Sequence, residues 1–310
     1  MKAAFYEQYG EPDVLQYGEQ PDPKVGPDSV LVDVRAASVN PVDWKITAGY
    51  LDAVLPTHFP VIPGWDVAGV VAQPGPSVTE FEVGDEVIGY VRMDTVGLGT
   101  FAERVAAPVR ALARKPRNVS WAEAATMPLA GLTAYQSLRA VDATEGDTVL
   151  VHNGAGGVGT YAIQIAKVWG ARVLATASEK NHDFLRSLGA EPLTYGEGLG
   201  ERLAHAAPEG LDAVVDFVGG QDWIDSLAHL QSPERIASVT DTAVKDKGGR
   251  YIFVRPNPSD LLALTELVEA GHVRPILAES FPLERAADAF RSSIDGHVRG
   301  KIAVTVGEQA

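Results

Sequence analysis

The sequence contains no cysteine. A chain without cysteine has no disulfides, no thiolate ligands for a metal and no cysteine nucleophile. It also lacks any apolar run close to the ~20 residues that a membrane-spanning helix requires, and its first residues lead into a strand-like segment without the apolar core of a signal peptide. These absences predict a cytoplasmic protein that does not insert into membranes.

Acidic residues outnumber basic ones: the chain has 26 Lys and Arg and 41 Asp and Glu, which gives a formal net charge of −15 at pH 7. This balance argues against general attraction to nucleic acid or anionic lipid. A phosphate-bearing ligand would therefore be held by backbone amides and a few well-placed cations. The seven histidines are scattered, and we expect each to be a solvated or hydrogen-bonded surface residue.

The chain of 310 residues is long enough for two domains. Its pattern of apolar residues and turns changes along the sequence and divides it into two regions. The first third shows short apolar runs at 30–34, 67–72 and 86–90 between Gly and Pro turns, which predicts a compact, partly closed β-barrel. From about residue 122, helix and strand alternate, which predicts a parallel sheet with helices on both faces. Predicted strands lie at 149–151, 172–177, 213–217, 235–239, 251–254 and 302–306, and predicted helices near 183–188, 259–270 and 283–293.

The most informative stretch is 148–169, which reads as strand, glycine turn and helix. In a dinucleotide site one glycine permits the turn, one lets backbone amides approach a pyrophosphate, and one lets the helix lie close to the strand. A further strand at 171–176 completes a β-α-β unit, which favours nucleotide binding over a purely structural turn. The predicted phosphate-binding residues are Gly154, Ala155, Gly156, Gly157, Val158 and Gly159.

Several short motifs, in this order and spacing, resemble the medium-chain dehydrogenase/reductase superfamily, and specifically its zinc-free quinone and enone reductase branch. The segments that carry the resemblance are 40–45 (NPVDWK), 63–71 (PGWDVAGVV), 83–87 (VGDEV), 99–103 (GTFAE), the glycine turn and 293–302 (SIDGHVRGKI). The resemblance implies an α/β fold in which a GroES-like β-barrel catalytic domain, 1–125 completed by 256–310, is interrupted by a Rossmann domain, 126–255. Substrate and nicotinamide would meet in the cleft between them.

The chain departs from the zinc alcohol dehydrogenases of that superfamily. Those enzymes carry a cysteine near 40–43, Gly-His-Glu where this chain has Gly64, Trp65 and Asp66, and a four-cysteine lobe; all three are missing. A tetrahedral zinc would have no thiolate or imidazole ligands, so we expect no metal and no Lewis-acid alcohol oxidation.

The cofactor preference depends on the residues after the second strand of the nucleotide unit. An NAD-preferring unit places Asp or Glu at the tip of that strand, whereas the resemblance puts Ala177 there. Ser178 and Lys180 then match a Ser-x-Arg-Asn pattern that holds a 2′-phosphate in relatives, and Tyr195 resembles a tyrosine that flanks the same phosphate. We therefore expect NADPH. Glu179 keeps NADH open, because its spacing also suits a ribose-binding acid, and the segment 178–180 could simply cap the following helix.

Further cofactor contacts rest on the resemblance and, for Val218, on its position after a predicted strand. Thr126, with 129–133, matches a segment that lines the nicotinamide in relatives, and Val218 follows a predicted strand at the edge where ligands bind open α/β sheets. The remaining residues that the resemblance implies are Phe253, Val254 and Arg255, for the carboxamide, and Lys301 and Arg299, for phosphates.

Substrate chemistry requires a donor or cation for the negative charge that builds on the acceptor's carbonyl oxygen, and a proton source. Lys45 is our candidate because it ends a motif that faces the nicotinamide in relatives. Asp43 and Asn40 would position it or bind the nicotinamide ribose, and Tyr50 is a weaker alternative donor. The structural alternatives are that Lys45 is solvated and that Asp43 caps a short helix near 44–48.

Three functions fit these observations. The first is an NADPH-dependent reductase of a small-molecule quinone, enone or alkenal. The second is a non-catalytic NADPH-binding sensor or structural protein, and the third is an enoyl reductase of a biosynthetic pathway. The resemblance leaves both a monomer and a homodimer open.

Overall fold

A computed structural model describes residues 1–307 of the chain. They divide into two compact units. The first comprises residues 1–129 and 255–270 together with the segment that starts at 275, and the second comprises 130–254 and 271–274. Within the described residues, no helix is both long and apolar enough to cross a membrane.

The first unit is built mainly of strands. They are β1 (Lys2–Phe5), β2 (Gln16–Glu19), β3 (Ser29–Val39), β4 (Thr57–Ile62), β5 (Asp66–Pro74), β6 (Glu86–Tyr90), β7 (Val96–Leu98), β8 (Arg104–Pro108), β9 (Leu112–Arg114), β16 (Leu277–Pro282) and β17 (Lys301–Thr305). The larger sheet has the order β16-β17-β3-β5-β6-β9, with β8 also on β3, while β1 pairs with β2 and β4 with β7.

Strand β3 organises this sheet because three other strands pair with it. β8 pairs with its first half and β17 with its second half, while β5 runs along the whole strand. Register shifts between Leu31 and Val32 and between Val34 and Ala36 interrupt the β3–β5 ladder, and such irregularities bend and twist a sheet. The pairing with β17 places Ile302 opposite Val39.

Four helices accompany the strands of the first unit: α1 (Pro41–Thr47), α2 (Trp121–Ala125), α8 (Pro258–Glu269) and α9 (Ala286–Asp295). Local capping explains where two of them begin. The Oγ of Ser120 accepts from the Glu123 amide before α2, and Oδ1 of Asn257 accepts from the amides of Ser259 and Asp260 at the start of α8. A further helix, α3 (Pro128–Ala140), contains the boundary between the units.

The second unit is a parallel sheet. Its strands are β10 (Thr148–Val151), β11 (Arg172–Ala177), β12 (Glu191–Thr194), β13 (Ala213–Asp216), β14 (Ile236–Ser238) and β15 (Arg250–Tyr251), and its remaining helices are α4 (Gly157–Val168), α5 (His182–Ser187), α6 (Leu199–Ala206) and α7 (Gln221–Ser226). The strand order is β12-β11-β10-β13-β14-β15. The order changes direction between β10 and β13, which is the switch point where such sheets bind ligands.

Most predicted elements lie close to the observed ones, and β6 and β11 have the predicted bounds. The predicted strand 251–254 is the clearest error, because only Tyr251 belongs to a strand. Its neighbour β14 has three residues, and the pairing ends once the Ile252 amide has donated to the Ser238 carbonyl. The predicted helix 283–293 is also shifted: a 3₁₀ turn occupies 283–285, and α9 runs to Asp295.

Candidate functional site

The glycine turn lies at the switch point of the second unit, between β10 and α4. A Cβ on Gly159 would lie 2.2 Å from the Asn153 carbonyl oxygen and 2.7 Å from the Gly154 Cα, and a Cβ on Gly154 would lie 2.8 Å from the Ala175 Cβ. Gly159 therefore lets α4 approach the turn closely, and Gly154 lets the turn lie close to β11. The first amides of α4, beginning at Gly157, have no carbonyl of their own helix to bind, and they suit an anion.

The other predicted cofactor residues of this unit come after the carboxyl ends of its strands. Ser178 comes directly after β11, Tyr195 directly after β12 and Val218 two residues after β13. Because these strands run parallel and in register with β10, their carboxyl ends lie at one edge of the sheet, as does the glycine turn. Tyr195 and Val218 are both more than half exposed, so they are accessible to a ligand.

Strand β11 ends at Ala177, and Glu179 begins a separate 3₁₀ turn that also contains Lys180. The strand tip therefore carries a methyl group rather than a carboxylate. Asn181 donates from Nδ2 to the Ser178 Oγ at 3.3 Å, and Lys180 is exposed. The residues after β11 therefore carry the hydroxyl of Ser178, the exposed carboxylate of Glu179 and the exposed ammonium of Lys180.

Asp216, which the sequence analysis did not single out, fixes the loop after β13. Its fully buried carboxylate accepts from the amides of Val218 (3.1 Å) and Gly219 (2.9 Å) and from the Ser238 hydroxyl (2.6 Å). Asp216 thus sets the backbone path on which Val218 is presented. The sequence does contain a signal for this role: Asp216 lies near the end of an apolar predicted strand, and Gly219 and Gly220 follow it closely, which is typical of a tight loop fixed by a side chain.

His152 corrects the expectation that every histidine is a surface residue, because it is fully buried directly after β10. Its ring nitrogens lie 3.4 Å from the Thr176 Oγ1 and 3.5 Å from the Ser226 Oγ. Burial lowers the pKa of the imidazole, so His152 stays neutral and supports the strand that carries the glycine turn.

The remaining cofactor candidates fall in both units. In the second unit, Phe253 is about half exposed and Val254 is half-buried, both in the extended segment after β15. In the first unit, Thr126 is fully buried at the end of α2 and its Oγ1 donates to the Glu123 carbonyl at 2.7 Å, while Arg255 and Arg299 are exposed.

Lys301 has a role in the first unit that the sequence did not indicate. The side chain is 4% exposed, and its Nζ donates to the Val39 carbonyl and to the Asn40 Oδ1, each at 2.6 Å. Instead of extending toward a phosphate, Lys301 joins β17 to the residue that precedes α1. Burial lowers the pKa of its ammonium, and the nearby carboxylates of Asp66 and Asp43 oppose that shift.

Asn40 connects Lys301 to two buried carboxyl groups. Its Nδ2 donates to the Asp66 Oδ2 at 2.8 Å, and its amide donates to the Asp43 Oδ2 at 2.7 Å. Asp66 also accepts from the Ser38 hydroxyl (2.7 Å) and the amide of Leu129 (2.8 Å). The Oδ1 and the Nδ2 of Asn40 therefore both have hydrogen-bond partners within the protein, so Asn40 holds Lys301 and Asp66 in place.

Asp43 does cap α1, as the structural alternative proposed, through its Oδ2. Its Oδ1 is buried and has no hydrogen-bond partner. Burial raises the pKa of this carboxyl to about 7, and the charge of Asp66 adds to the effect. One oxygen therefore has a structural role, whereas the other is buried without a hydrogen-bond partner.

Lys45 lies two residues beyond Asp43 on α1 but outside this buried network. Its side chain is half-buried, and the Nζ lies 5.5 Å from the centre of the Trp44 ring. Tyr50 is mostly exposed. The structure thus brings Asn40 and Asp43 together, and leaves Lys45 on a different face of the helix.

The residues at the zinc positions of the wider superfamily do not fit a zinc ion. Asn40 and Asp66 are tied by the hydrogen bonds above, and Trp65 offers no ligand atom. Among residues 1–307, no three His, Cys, Asp or Glu side chains are grouped so as to hold a metal. The ammonium of Lys301 instead supplies the positive charge beside these carboxyl groups.

A Rossmann-type sheet inserted, in sequence, into a GroES-like unit defines a class of nicotinamide-dependent oxidoreductases. Comparison with known proteins agrees: residues 26–117 match the alcohol dehydrogenase GroES-like domain, and residues 188–304 match the zinc-binding dehydrogenase family. The chain belongs to the medium-chain dehydrogenase/reductase superfamily, in its zinc-free quinone and enone reductase branch.

Individual relatives cover almost the whole chain. The chloroplast envelope quinone oxidoreductase homolog of Arabidopsis thaliana is 35% identical over 98% of both chains. The chloroplastic NADPH-dependent alkenal/one oxidoreductase of the same plant is 37% identical over 98% of this chain and 79% of its own. The solved quinone oxidoreductase of Coxiella burnetii is 34% identical, with a TM-score of 0.86 over 99% of both chains.

Proposed function

We propose that this protein is a zinc-independent, NADPH-dependent oxidoreductase that reduces a quinone or an α,β-unsaturated carbonyl compound. One observation carries the proposal: the glycine turn occupies the switch point of a parallel sheet whose next strand, β11, ends at Ala177 rather than at a carboxylate. Ser178 and Lys180 follow the strand, and Glu179 lies beyond its end. The relatives reported above support the same activity.

The second unit would hold the cofactor along the carboxyl edge of its sheet. The amides at 154–159 would bind the pyrophosphate, and Ser178, Lys180 and Tyr195 would surround the 2′-phosphate. Val218, Phe253 and Val254 would contact the nicotinamide end. Thr126, Arg255 and Arg299 stay in the proposal as secondary contacts, whereas Lys301 is better assigned to holding Asn40 in place.

The reaction transfers two electrons. NADPH supplies a hydride, and with one proton from solvent or the protein this converts a quinone to a hydroquinone, or an enone to a saturated carbonyl compound. The chain's task is to orient the acceptor and stabilise charge on its oxygen. Lys45 is the proposed cation for that oxygen. Asn40 and Asp43 are the proposed positioning residues, because they fix the start of α1.

A cofactor and acceptor screen tests the proposal. NADPH and NADH oxidation would be followed with a quinone, a short enone and an alkenal, in the wild type and in Lys45→Ala and Lys45→Arg. We expect turnover with NADPH, a loss of kcat in Lys45→Ala of roughly 10²-fold, typical of one charge-stabilising donor, and partial rescue in Lys45→Arg.

Two results would contradict this activity and favour one of the other two functions. Tight NADPH binding without oxidation by any acceptor would favour a sensor or structural protein. Turnover only with carrier-linked thioesters would favour a biosynthetic enoyl reductase. A cytoplasmic location and a homodimer are also proposals, to be checked by fractionation and by light scattering.

A further inference from the structure

The register between β11 and β12 places Tyr195 next to Ser178 at the carboxyl edge of the parallel sheet. In this pairing Ala177 lies opposite Thr194. The next residue of each strand, Ser178 and Tyr195, therefore leaves the sheet at the same level. Because neighbouring strands lie about 4.8 Å apart, a group bound by the Ser178 hydroxyl comes within reach of the Tyr195 side chain.

Residues 194–198, the Tyr195 segment, need help to hold one conformation. Gly196 and Gly198 have positive φ angles of 82° and 76°, and glycine loses the most conformational entropy when it becomes ordered. The Tyr195 side chain is 53% exposed, so packing fixes it only in part. Its position therefore depends on how the backbone of the segment is held.

Arg202, a half-buried residue of α6, holds this backbone by its carbonyl groups. Its Nε donates to the Thr194 carbonyl at 2.9 Å, and its Nη2 donates to the carbonyls of Gly196 at 3.1 Å and Tyr195 at 3.4 Å. One guanidinium thus contacts three consecutive carbonyls. The planar fork of arginine keeps its donors in a fixed geometry, so the three carbonyls are fixed relative to one another.

Asp222, in the first turn of α7, holds the same segment by an amide. Its Oδ1 accepts from the Gly196 amide at 3.0 Å. The peptide group that joins Tyr195 to Gly196 therefore has its oxygen on Arg202 and its nitrogen on Asp222. Both sides of this peptide group are occupied, so the direction in which the Tyr195 side chain leaves the backbone is set.

We propose that Arg202 and Asp222 are positioning residues for the 2′-phosphate of the cofactor: they fix the Tyr195 segment so that the Tyr195 hydroxyl meets a phosphate bound by Ser178 and Lys180. The inference rests on the proposed function. It adds two residues that do not touch the cofactor to those that set the preference for NADPH over NADH.

The test measures binding of the adenosine end alone, by calorimetry with adenosine 2′,5′-bisphosphate and adenosine 5′-monophosphate, which differ by the 2′-phosphate. The wild type should prefer the bisphosphate. Arg202→Ala should weaken bisphosphate binding about ten-fold or more, the value of one hydrogen bond to a charged group, and should change monophosphate binding less than about two-fold. In turnover, the KM for NADPH should rise while kcat is retained.

Arg235→Ala is the matched control. Arg235 also donates to backbone carbonyls, those of Val141 at 2.9 Å and Asp142 at 2.8 Å, but it comes directly before β14, at the amino edge of the sheet. Both variants lose bonds to the backbone, so both should melt at a lower temperature. Only Arg202→Ala should lose the preference for the bisphosphate. A similar loss in Arg235→Ala would overturn the inference, because general destabilisation would then explain it.

A double-mutant cycle shows whether Arg202 acts through Tyr195. Tyr195→Phe removes only the hydroxyl, and it should also weaken bisphosphate binding about ten-fold or more. Adding Arg202→Ala should cause less than about a two-fold further loss, because the hydroxyl that Arg202 positions is already gone. Additive losses would show that Arg202 acts independently of Tyr195, and would overturn the inference.

Asp222→Ala provides a second variant if Arg202→Ala does not fold. It releases the Gly196 amide from the other side of the Tyr195 segment, so it should lower the preference for the bisphosphate in the same direction. An unchanged preference would overturn the inference and leave the proposed function intact. A wild type that binds the two nucleotides equally would instead contradict the proposed choice of NADPH, and the inference with it.

Discussion

The Nζ of Lys301 donates a 2.6 Å hydrogen bond to the Oδ1 of Asn40, a residue 261 positions earlier in the chain. The contact exists because β17 pairs with β3 so that Ile302 lies opposite Val39. It joins the last described strand to the start of α1, and it places a buried ammonium beside the carboxyl groups of Asp66 and Asp43.

Replacing Lys301 with methionine keeps most of its volume but removes this ammonium. The buried carboxyl groups lose their counter-charge, so we expect the free energy of unfolding to fall by about 3–5 kcal/mol. Urea denaturation measures the change. Lys2→Met is the matched control, since Lys2 pairs with Glu19 at the surface and should cost less than about 1 kcal/mol. Similar losses in the two variants would contradict the assigned role.

Gly159→Ala tests the close approach of α4 to the glycine turn. A methyl group here would collide with backbone atoms of Asn153 and Gly154, so we expect a loss of about 1–3 kcal/mol in stability, together with weaker NADPH binding. Thermal melts and cofactor titration report the two effects.

Gly200→Ala is the control for this substitution. Gly200 lies in α6 of the same unit, and an added Cβ there meets only the His229 ring at an ordinary 3.5 Å. Alanine should therefore stabilise the helix by up to about 1 kcal/mol. The interpretation fails if Gly159→Ala binds NADPH as well as the wild type does.

Lys180→Ala tests cofactor choice. If its ammonium binds the 2′-phosphate, kcat/KM for NADPH should fall about ten-fold or more, while that for NADH, which lacks this phosphate, stays within about two-fold. Lys167→Ala, at the opposite end of α4 from the glycine turn, should spare both cofactors. A parallel loss for NADPH and NADH would remove Lys180 from the phosphate site.

Asp43 should make stability depend on pH. Its folded pKa, about 7, lies above the ordinary value of 3.8, so between these values the folded state binds more protons than the unfolded state. The contribution to stability is therefore fully present below the ordinary pKa and is lost as the pH rises through the folded one.

The matched variant for this prediction is Asp43→Asn, which keeps an acceptor for the Asn40 amide. Melting temperatures between about pH 5 and 8 should fall less steeply with pH in Asp43→Asn than in the wild type. Parallel profiles would place the raised pKa on another group, the neighbouring Asp66 being the first alternative.

The elements predicted well from sequence are those set by local pattern. The glycine turn between β10 and α4 depends on apolar spacing and on residues within one turn of each other, and β11 ends at Ala177 as predicted. The strand predicted at 251–254 failed because its length depends on β14, a distant partner of only three residues.

The site residues also divide into those whose role depends on nearby residues in the sequence and those whose role depends on distant strand pairing. The capping role of Asp43, which the sequence analysis gave as an alternative to positioning Lys45, depends only on Asn40, three positions away. The burial of Lys301 depends on the pairing of β17 with β3, which no local pattern specifies.

The place of β17 between β16 and β3 has a consequence for biosynthesis. Strand β3 emerges early from the ribosome, yet its second half has no partner on that edge until residue 305 has been made. The parallel sheet of the second unit has all six strands by residue 251 and can fold while synthesis continues. The unit that is translated first is thus completed last, and until then β3 presents an open edge that nascent-chain chaperones have reason to cover.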